Sequence, residues 1–415
     1  MNCSAPGARD LKRKKTMSHK KTQIIIIGAG PVGTTAAYKF ASEGIDVVLL
    51  EAHPNCPEDL RASTFHPPTL EMLSSLGITD ELDAIGLRAP VYQYRNRQTG
   101  EYYSFDLGEL SDVTQFPYRL QCEQFKLARL LTDRLAEHPH GSVCFNHRLL
   151  TVKQDEDGVV VQAETPMGIE TFEADFLIAC DGANSTVRKW LGVGFEGFTY
   201  PEKFVTFSTA VPLEQHFEQL AHVNYVADPT EWMVLLKVPK LWRVLVPAHD
   251  MDDDYITSDE MKAKVFDRLI GDPNVETVHR TIYRVHQRVA ENYVDGRIIL
   301  AGDAAHLNNP LGGLGMNSGI HDVWNLSEKL IPVLKAGGSH DEPLGLYERQ
   351  RQAVMRNFVQ TQTIKNKKML ENRDPEAQQR YQQGLTEILE DDERRRNYLL
   401  DQAMFKSLEL EAATS

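Results

Sequence analysis

Three short stretches hold the residues with the clearest capacity for chemistry. The first, "QIIIIGAGPVGTTAAYKF", carries Gly28-x-Gly30-x-x-Gly33; the second, "FLIACDGANSTVRKW", carries Asp181-Gly182; the third, "LAGDAAHLNNPLGGLGMNSG", carries Gly302-Asp303 and then a loop almost without large side chains. At the first spacing, Gly28 permits a tight turn, Gly30 lets backbone approach a diphosphate, and Gly33 lets a helix pack close to a strand. The N–H groups of that helix, flanked by Pro31 and Val32 in its first turn, face the diphosphate. Glu51 lies where an acid accepts ribose hydroxyls. A carboxylate there also repels a 2′-phosphate, which favours an unphosphorylated ADP moiety, as in FAD or NAD. The sequence offers no convincing pairing of nucleophile and base.

These residues need elements to position them. Ile24 to Ile27 is an apolar β-branched run suited to a parallel strand buried on both faces. Thr34 to Glu43 reads as a helix ended by Gly44, and Asp46 to Leu50 as a second buried strand. "VYQYRNRQTGEYYSFDL" reads as a hairpin turning near Gly100. In "YRLQCEQFKLARLLTDRLAEH" the leucines fall at helical spacing, with Gln121 at the helix start. A β-rich stretch from Val143 to Ile178, with turns at "DEDG" and "TPMG", leads into Asp181.

The chain has 415 residues, 41% hydrophobic and 25% charged, enough for two domains or one large elaborated one. A net charge of −14 excludes a general nucleic-acid binder, which needs a basic surface for phosphates. The five cysteines are scattered, without a metal-ligand spacing, so neither a disulfide scaffold nor a metal site is expected and a reducing cytoplasm is the default compartment. No run approaches the roughly 18 apolar residues of a membrane span. Residues 1–20 are basic and polar and read as a disordered tail, with Met17 as a working start.

Taken in order, the Gly28/Gly30/Gly33 fingerprint with Glu51, Asp181-Gly182 and Gly302-Asp303 resemble the motifs of single-component flavin aromatic hydroxylases, the para-hydroxybenzoate hydroxylase type. The resemblance implies a tightly but non-covalently bound FAD, NADH or NADPH and O2 as co-substrates, and hydroxylation of a phenolic or N-heteroaromatic small molecule through a flavin C4a-hydroperoxide. It implies that Asp303 holds the ribityl chain and that Asp181 and Arg188 lie near the FAD and the nicotinamide cofactor. It further implies that Arg61 and Gln121 contact the cofactor, and that Pro310 and Gly315-Met316-Asn317 present loop backbone to the isoalloxazine. His306 falls within that loop and is a candidate acid–base group. Asn309 and Leu314 depart from the family, whose members often carry proline and a longer polar residue there.

The fold class expected is α/β: a Rossmann-like FAD-binding domain interleaved with a β-sheet substrate domain, plus C-terminal helices. The FAD-binding parts are 21–90, 108–200 and 287–335; the substrate sheet takes 91–107 and 201–286; 336–415 is helical. Tyr225, Trp232 and Met233 are candidates for an aromatic pocket, as is His66, which follows Arg61. The charged C-terminal helices are placed to brace the cofactor domain or to form a homodimer contact. Two rival readings stand beside hydroxylation: a same-fold oxidase or reductase without oxygen insertion, and a non-enzymatic binding protein that keeps the fold.

Overall fold

The computed structural model describes residues 20–58, 60, 62–228, 231–249 and 251–415. The expected N-terminal tail, apart from Lys20, and Arg61 lie outside the described residues. The apolar run forms the strand Lys20–Ile27, whose four isoleucines are all but inaccessible to solvent. It pairs in parallel with Gly168–Ala179 on one side and Val47–Leu50 on the other. Ile298–Leu300 joins the far edge in parallel beside Ala179, and Gly141–Cys144 closes the near one. Thus Gly28, Asp181 and Gly302 all follow the carboxyl ends of neighbouring parallel strands. Ligands of open α/β sheets bind at that edge.

The helix Pro31–Ser42 opens three residues before the expected Thr34. Pro31 at its first position brings a preset φ and has no N–H to leave unpaired. Gly44, with φ +79°, ends the turn. The apolar face of this helix packs on the sheet through Ala36, Ala37, Phe40 and Ala41, all fully buried. Burial on that scale is worth roughly 1.5–3 kcal/mol per large side chain.

A second sheet has the strand order His306–Leu307, His279–Ala290, Phe195–Thr209, Leu241–Ala248, Met233–Val238, Val223–Ala227, Val91–Asn96, Tyr102–Asp106. The hairpin turning at Gly100 therefore hydrogen-bonds into the same sheet as residues 195–290, through a parallel pairing of Tyr94 with Tyr225. One face of this sheet is covered by the helix Asp259–Ile270, capped by Ser258 and ended by Gly271 at φ +75°. The other meets Leu311 and the C-terminal helices through Leu370, Leu385, Leu399 and Ala403. Those helices also return to the first core, where Met404 is fully buried. Among the described residues, no helix is long and apolar enough to cross a membrane.

Candidate functional site

The three motifs meet backbone to backbone. Gly28 has φ +102°, and a Cβ there would lie 2.5 Å from the carbonyl oxygen of Cys180, just before Asp181. A Cβ on Gly319, in the helix Leu314–Ala336, would lie 2.6 Å from Val32 and 3.0 Å from the Cα of Gly302. Val32 of the first motif is thus wedged between the Gly302 turn and the helix that follows it. Packing this close leaves no room for side chains and fixes the three turns as one unit.

Gly30 differs. It caps the helix Pro31–Ser42, yet nothing lies within 4 Å of where its Cβ would be. The open space borders unpaired helix N–H groups, which is the place a diphosphate takes. Glu51 is buried; its Oε2 accepts from the Ala29 N–H at 2.7 Å and its Oε1 from the His53 N–H at 2.9 Å. Each oxygen keeps a second lone pair for a ribose hydroxyl.

Two orphaned polar atoms mark the same edge. Gln121 is fully buried, and its Oε1 accepts from the Thr64 hydroxyl at 3.0 Å, but its Nε2 has no partner. Asp181 Oδ2 accepts from the Thr186 N–H at 2.7 Å at the start of the helix Thr186–Trp190, while among the described residues its buried Oδ1 has no partner. Buried polar atoms left unpaired are uncommon and costly. An open space at Gly30, a ribose acid and two unpaired polar groups fit an FAD laid along this edge. Gln121 corrects one expectation: it ends the strand Arg119–Gln121, and the helix begins only at Gln124.

Asp303 sits on the exposed side of the turn Gly302–Ala304. Arg188 is buried, donating to the carbonyls of Ala304 at 2.7 Å and Ala183 at 2.8 Å, so it ties the Asp181 turn to the Asp303 turn from within. Its guanidinium also lies 3.8 Å from the Phe195 ring centroid. Pro310 is exposed and accepts from the Gly313 N–H at 3.0 Å. Gly313, at φ +71°, starts the long helix, placing Gly315, Met316 and Asn317 in its first turn. The free N–H groups there form the positive end of the helix dipole. Asn317 is a staple: its Nδ2 donates to the carbonyls of Thr64 and Gly313, and its Oδ1 accepts from the His66 N–H. Asn309 explains one departure from the family, because its N–H donates to Gln287 at 3.0 Å, a bond that proline cannot make.

His306 is tied behind the loop. Its Nε2 lies 2.7 Å from Oδ2 of Asp322, a fully buried carboxylate. The same Oδ2 accepts from the Gly302 N–H at 2.9 Å, and Oδ1 accepts from Arg351 Nε at 2.7 Å. Arg351 in turn reaches Glu411 and the Ser318 carbonyl. Asp322 and Arg351, both fully buried, escaped sequence reasoning.

The candidate pocket residues divide between the two sheet faces. Tyr225 and Trp232 share the apolar cluster of Leu311. Met233 belongs to the opposite face, packed with Met261, Val265 and Phe266, because adjacent residues of an extended chain alternate sides. It is therefore removed from the pocket set. His66 is fully buried under the loop, with Nε2 2.8 Å from the Gly312 carbonyl oxygen. Burial, and next to it the Arg119 charge, push its pKa well below the usual imidazole value. Arg119 was also missed: it is buried, its Nη1 donates to the Tyr225 hydroxyl at 3.4 Å, and it stacks 4.4 Å from the Tyr92 ring centroid.

Comparison with known proteins agrees with this geometry. The sequence profile of the FAD binding domain family matches residues 21–362. Para-nitrophenol 4-monooxygenase of Pseudomonas sp. (strain WBC-3) is 33% identical over 387 residues, covering 91% of this chain and 94% of that protein. 6-Hydroxy-3-succinoylpyridine 3-monooxygenase HspB of Pseudomonas putida (strain DSM 28022 / S16) is also 33% identical, over 86% of this chain and 90% of its own length. The crystal structure of p-nitrophenol 4-monooxygenase PnpA from Pseudomonas putida DLL-E4 superposes with a TM-score of 0.87 at 30% identity, covering 94% of this chain and 98% of that one.

Proposed function

The chain belongs to the FAD binding domain family, and we propose that it is an FAD-dependent monooxygenase that hydroxylates a small phenolic or N-heteroaromatic ring with NADH or NADPH and O2. The observation that carries this reading is the extent of the likeness. It reaches over nine-tenths of the chain and continues past residue 362, where the match to the FAD binding domain family ends. The two relatives named act, by their names, on a nitrophenol and a hydroxypyridine.

The flavin, when bound, supplies electron transfer from the nicotinamide and the activation of O2. The protein's own work is to bind, orient and exclude water. Gly30 and the helix N-terminus receive the diphosphate; Glu51 takes the ribose hydroxyls of the ADP moiety; Gln121 Nε2, Asp181 and Asp303 hold the groups between. The helix beginning at Leu314 would offer its positive end to negative charge on the flavin ring. The bare loop 308–313 presents backbone rather than bulky side chains to the ring. The buried aromatic face around Tyr225 and Leu311 keeps water from the reacting centre.

The test is oxygen incorporation. Protein purified with its FAD is given NADH or NADPH, 18O2 and a panel of nitrophenols, hydroxybenzoates and hydroxypyridines. A product carrying one 18O atom supports hydroxylation. Sustained NAD(P)H oxidation yielding only H2O2, or a dehydrogenated product without 18O, replaces this reading with that of an oxidase or reductase.

A further inference from the structure

Arg119 is a buried cation without a buried anion. It is 1% exposed, on the short strand Arg119–Gln121, and among the described residues no carboxylate lies within ion-pair distance of it. Its two protein hydrogen bonds are long and go to neutral acceptors, the Tyr225 hydroxyl at 3.4 Å and the Gln402 carbonyl at 3.3 Å. Among the described residues its Nε has no hydrogen-bond partner. By contrast, the other fully buried arginine, Arg351, has the carboxylates of both Asp322 and Glu411. Buried charges are ordinarily paired, because desolvation disfavours them otherwise.

The surroundings say what would pair with it. Tyr92 stacks on Phe105 and Tyr94 on Tyr225, with centroids 5.4 Å and 5.2 Å apart, so the guanidinium sits among flat rings. Leu311 of the bare loop packs into the same cluster. Strand alternation puts Arg119 on the same side as Gln121, whose unpaired Nε2 marks the cofactor edge. His66 adds a complement. Its Nε2 faces a carbonyl and must carry the proton, so the neutral ring leaves Nδ1 as a bare acceptor, and that atom is also buried without a partner. An unpaired cationic donor beside an aromatic ring and an unpaired neutral acceptor under the bare loop are therefore both buried here, close enough for the Arg119 charge to act on His66.

We infer that Arg119 is the anion-binding residue of the substrate pocket, and that the ligand it takes is a flat aromatic ring bearing an ionised oxygen, a phenolate above all. This rests on the aromatic monooxygenase reading and adds to it a charge requirement and the residue that imposes it. The Arg119 guanidinium donates to the anionic oxygen, which sets the ring's direction under the loop.

The test uses FAD-loaded enzyme and two nearly isosteric probes, 4-nitrophenol at a pH where it is ionised and its neutral methyl ether, 4-nitroanisole. Dissociation constants are read from the perturbation of the flavin absorbance. Wild-type protein binds the phenolate on the order of ten- to a hundredfold more tightly than the ether, the range of a hydrogen bond to a charged group. Arg119→Met brings that ratio close to one with FAD content unchanged, and Arg119→Lys recovers part of it. A loaded Arg119→Met protein that still prefers the phenolate overturns the assignment. So does wild-type protein that binds both probes equally, a measurement that needs no variant to fold. Loaded wild-type enzyme that binds neither these probes nor any other aromatic removes the monooxygenase reading together with this one.

Discussion

Replacing Asp322 with asparagine tests the foundation of the Gly302 turn. The carboxylate is fully buried and receives three donors: Arg351 Nε, His306 Nε2 and the Gly302 N–H. An amide matches its shape, but one end must present N–H where a donor already points. Burial pushes the Asp322 pKa up, yet the His306 and Arg351 charges and hydrogen bonds outweigh it and hold the group at about 2, against its ordinary 3.8. A depressed carboxyl stabilises the fold fully above the ordinary value, and that stabilisation is lost as pH falls from about 4 through about 2. Nearly two pH units at about 1.4 kcal/mol each give about 2–3 kcal/mol. Removing one member of a buried pair costs about 3–5 kcal/mol by mutational precedent, so Asp322→Asn should cost about 3 kcal/mol. The assay is urea unfolding at fixed FAD concentration from pH 7 to pH 3, with FAD per chain measured alongside. Wild type should lose stability below pH 4 more steeply than the variant. A double variant, Asp322→Leu with Arg351→Met, should be less destabilised than Asp322→Asn, since it leaves no lone charge. A variant within about 1 kcal/mol of wild type, with an unchanged acid limb, would refute the reasoning.

Other expectations follow from the same contacts. Gly30→Ala adds a methyl group that meets no protein atom, so the variant should fold normally yet bind FAD at least tenfold more weakly in a titration of apoprotein; unchanged affinity would remove the diphosphate from that place. Asn317→Ala strands the Thr64 and Gly313 carbonyls and the His66 N–H, and should cost about 2–4 kcal/mol in denaturant unfolding, with loss of FAD on gel filtration. Burial holds His321 at about 3, with the Arg351 charge adding to the effect. Its folded pKa is depressed, so the neutral ring stabilises the fold above about pH 6.5 and that stability drains as pH falls. About 2 kcal/mol should disappear between pH 6.5 and 5, and His321→Gln should flatten that slope. Stripping FAD should lower the unfolding temperature, and added FAD should restore it in a concentration-dependent way.

The dinucleotide core was legible because its signals are local. A β-branched run, three glycines and a strand-end acid lie within 28 residues of one another from Ile24 to Glu51, and each reflects a backbone requirement that only certain residues meet. Turns were equally plain, as at Gly44 and Gly100, where positive φ calls for glycine. Gln121 was misplaced because Gln and Glu suit helices, and nothing local reveals a three-residue strand held by Thr64–Phe65 and Leu87–Ala89. Met233 was a misjudgement that the alternation of its own strand could have prevented. Asp322, Arg351 and Arg119 were illegible for a different reason. Their burial is decided by partners up to 283 residues away, and in sequence Arg351 is one charge among many in a helical, charged stretch.

The anchoring of the Gly302 turn has a consequence in time as well as in space. Its support runs from Asp322 through Arg351 to Glu411, while the fingerprint it packs against is made near residue 30. At roughly 5–20 residues per second, translation separates those two ends by on the order of half a minute. Within that interval the Gly168–Ala179 strand waits for Ile298–Leu300, about 120 residues later, which at the same rate takes roughly 6–24 s. A nascent chain therefore cannot assemble this groove in stages and fill it early. The support of the Gly302 turn is complete only once the C-terminal helix carrying Glu411 has been made.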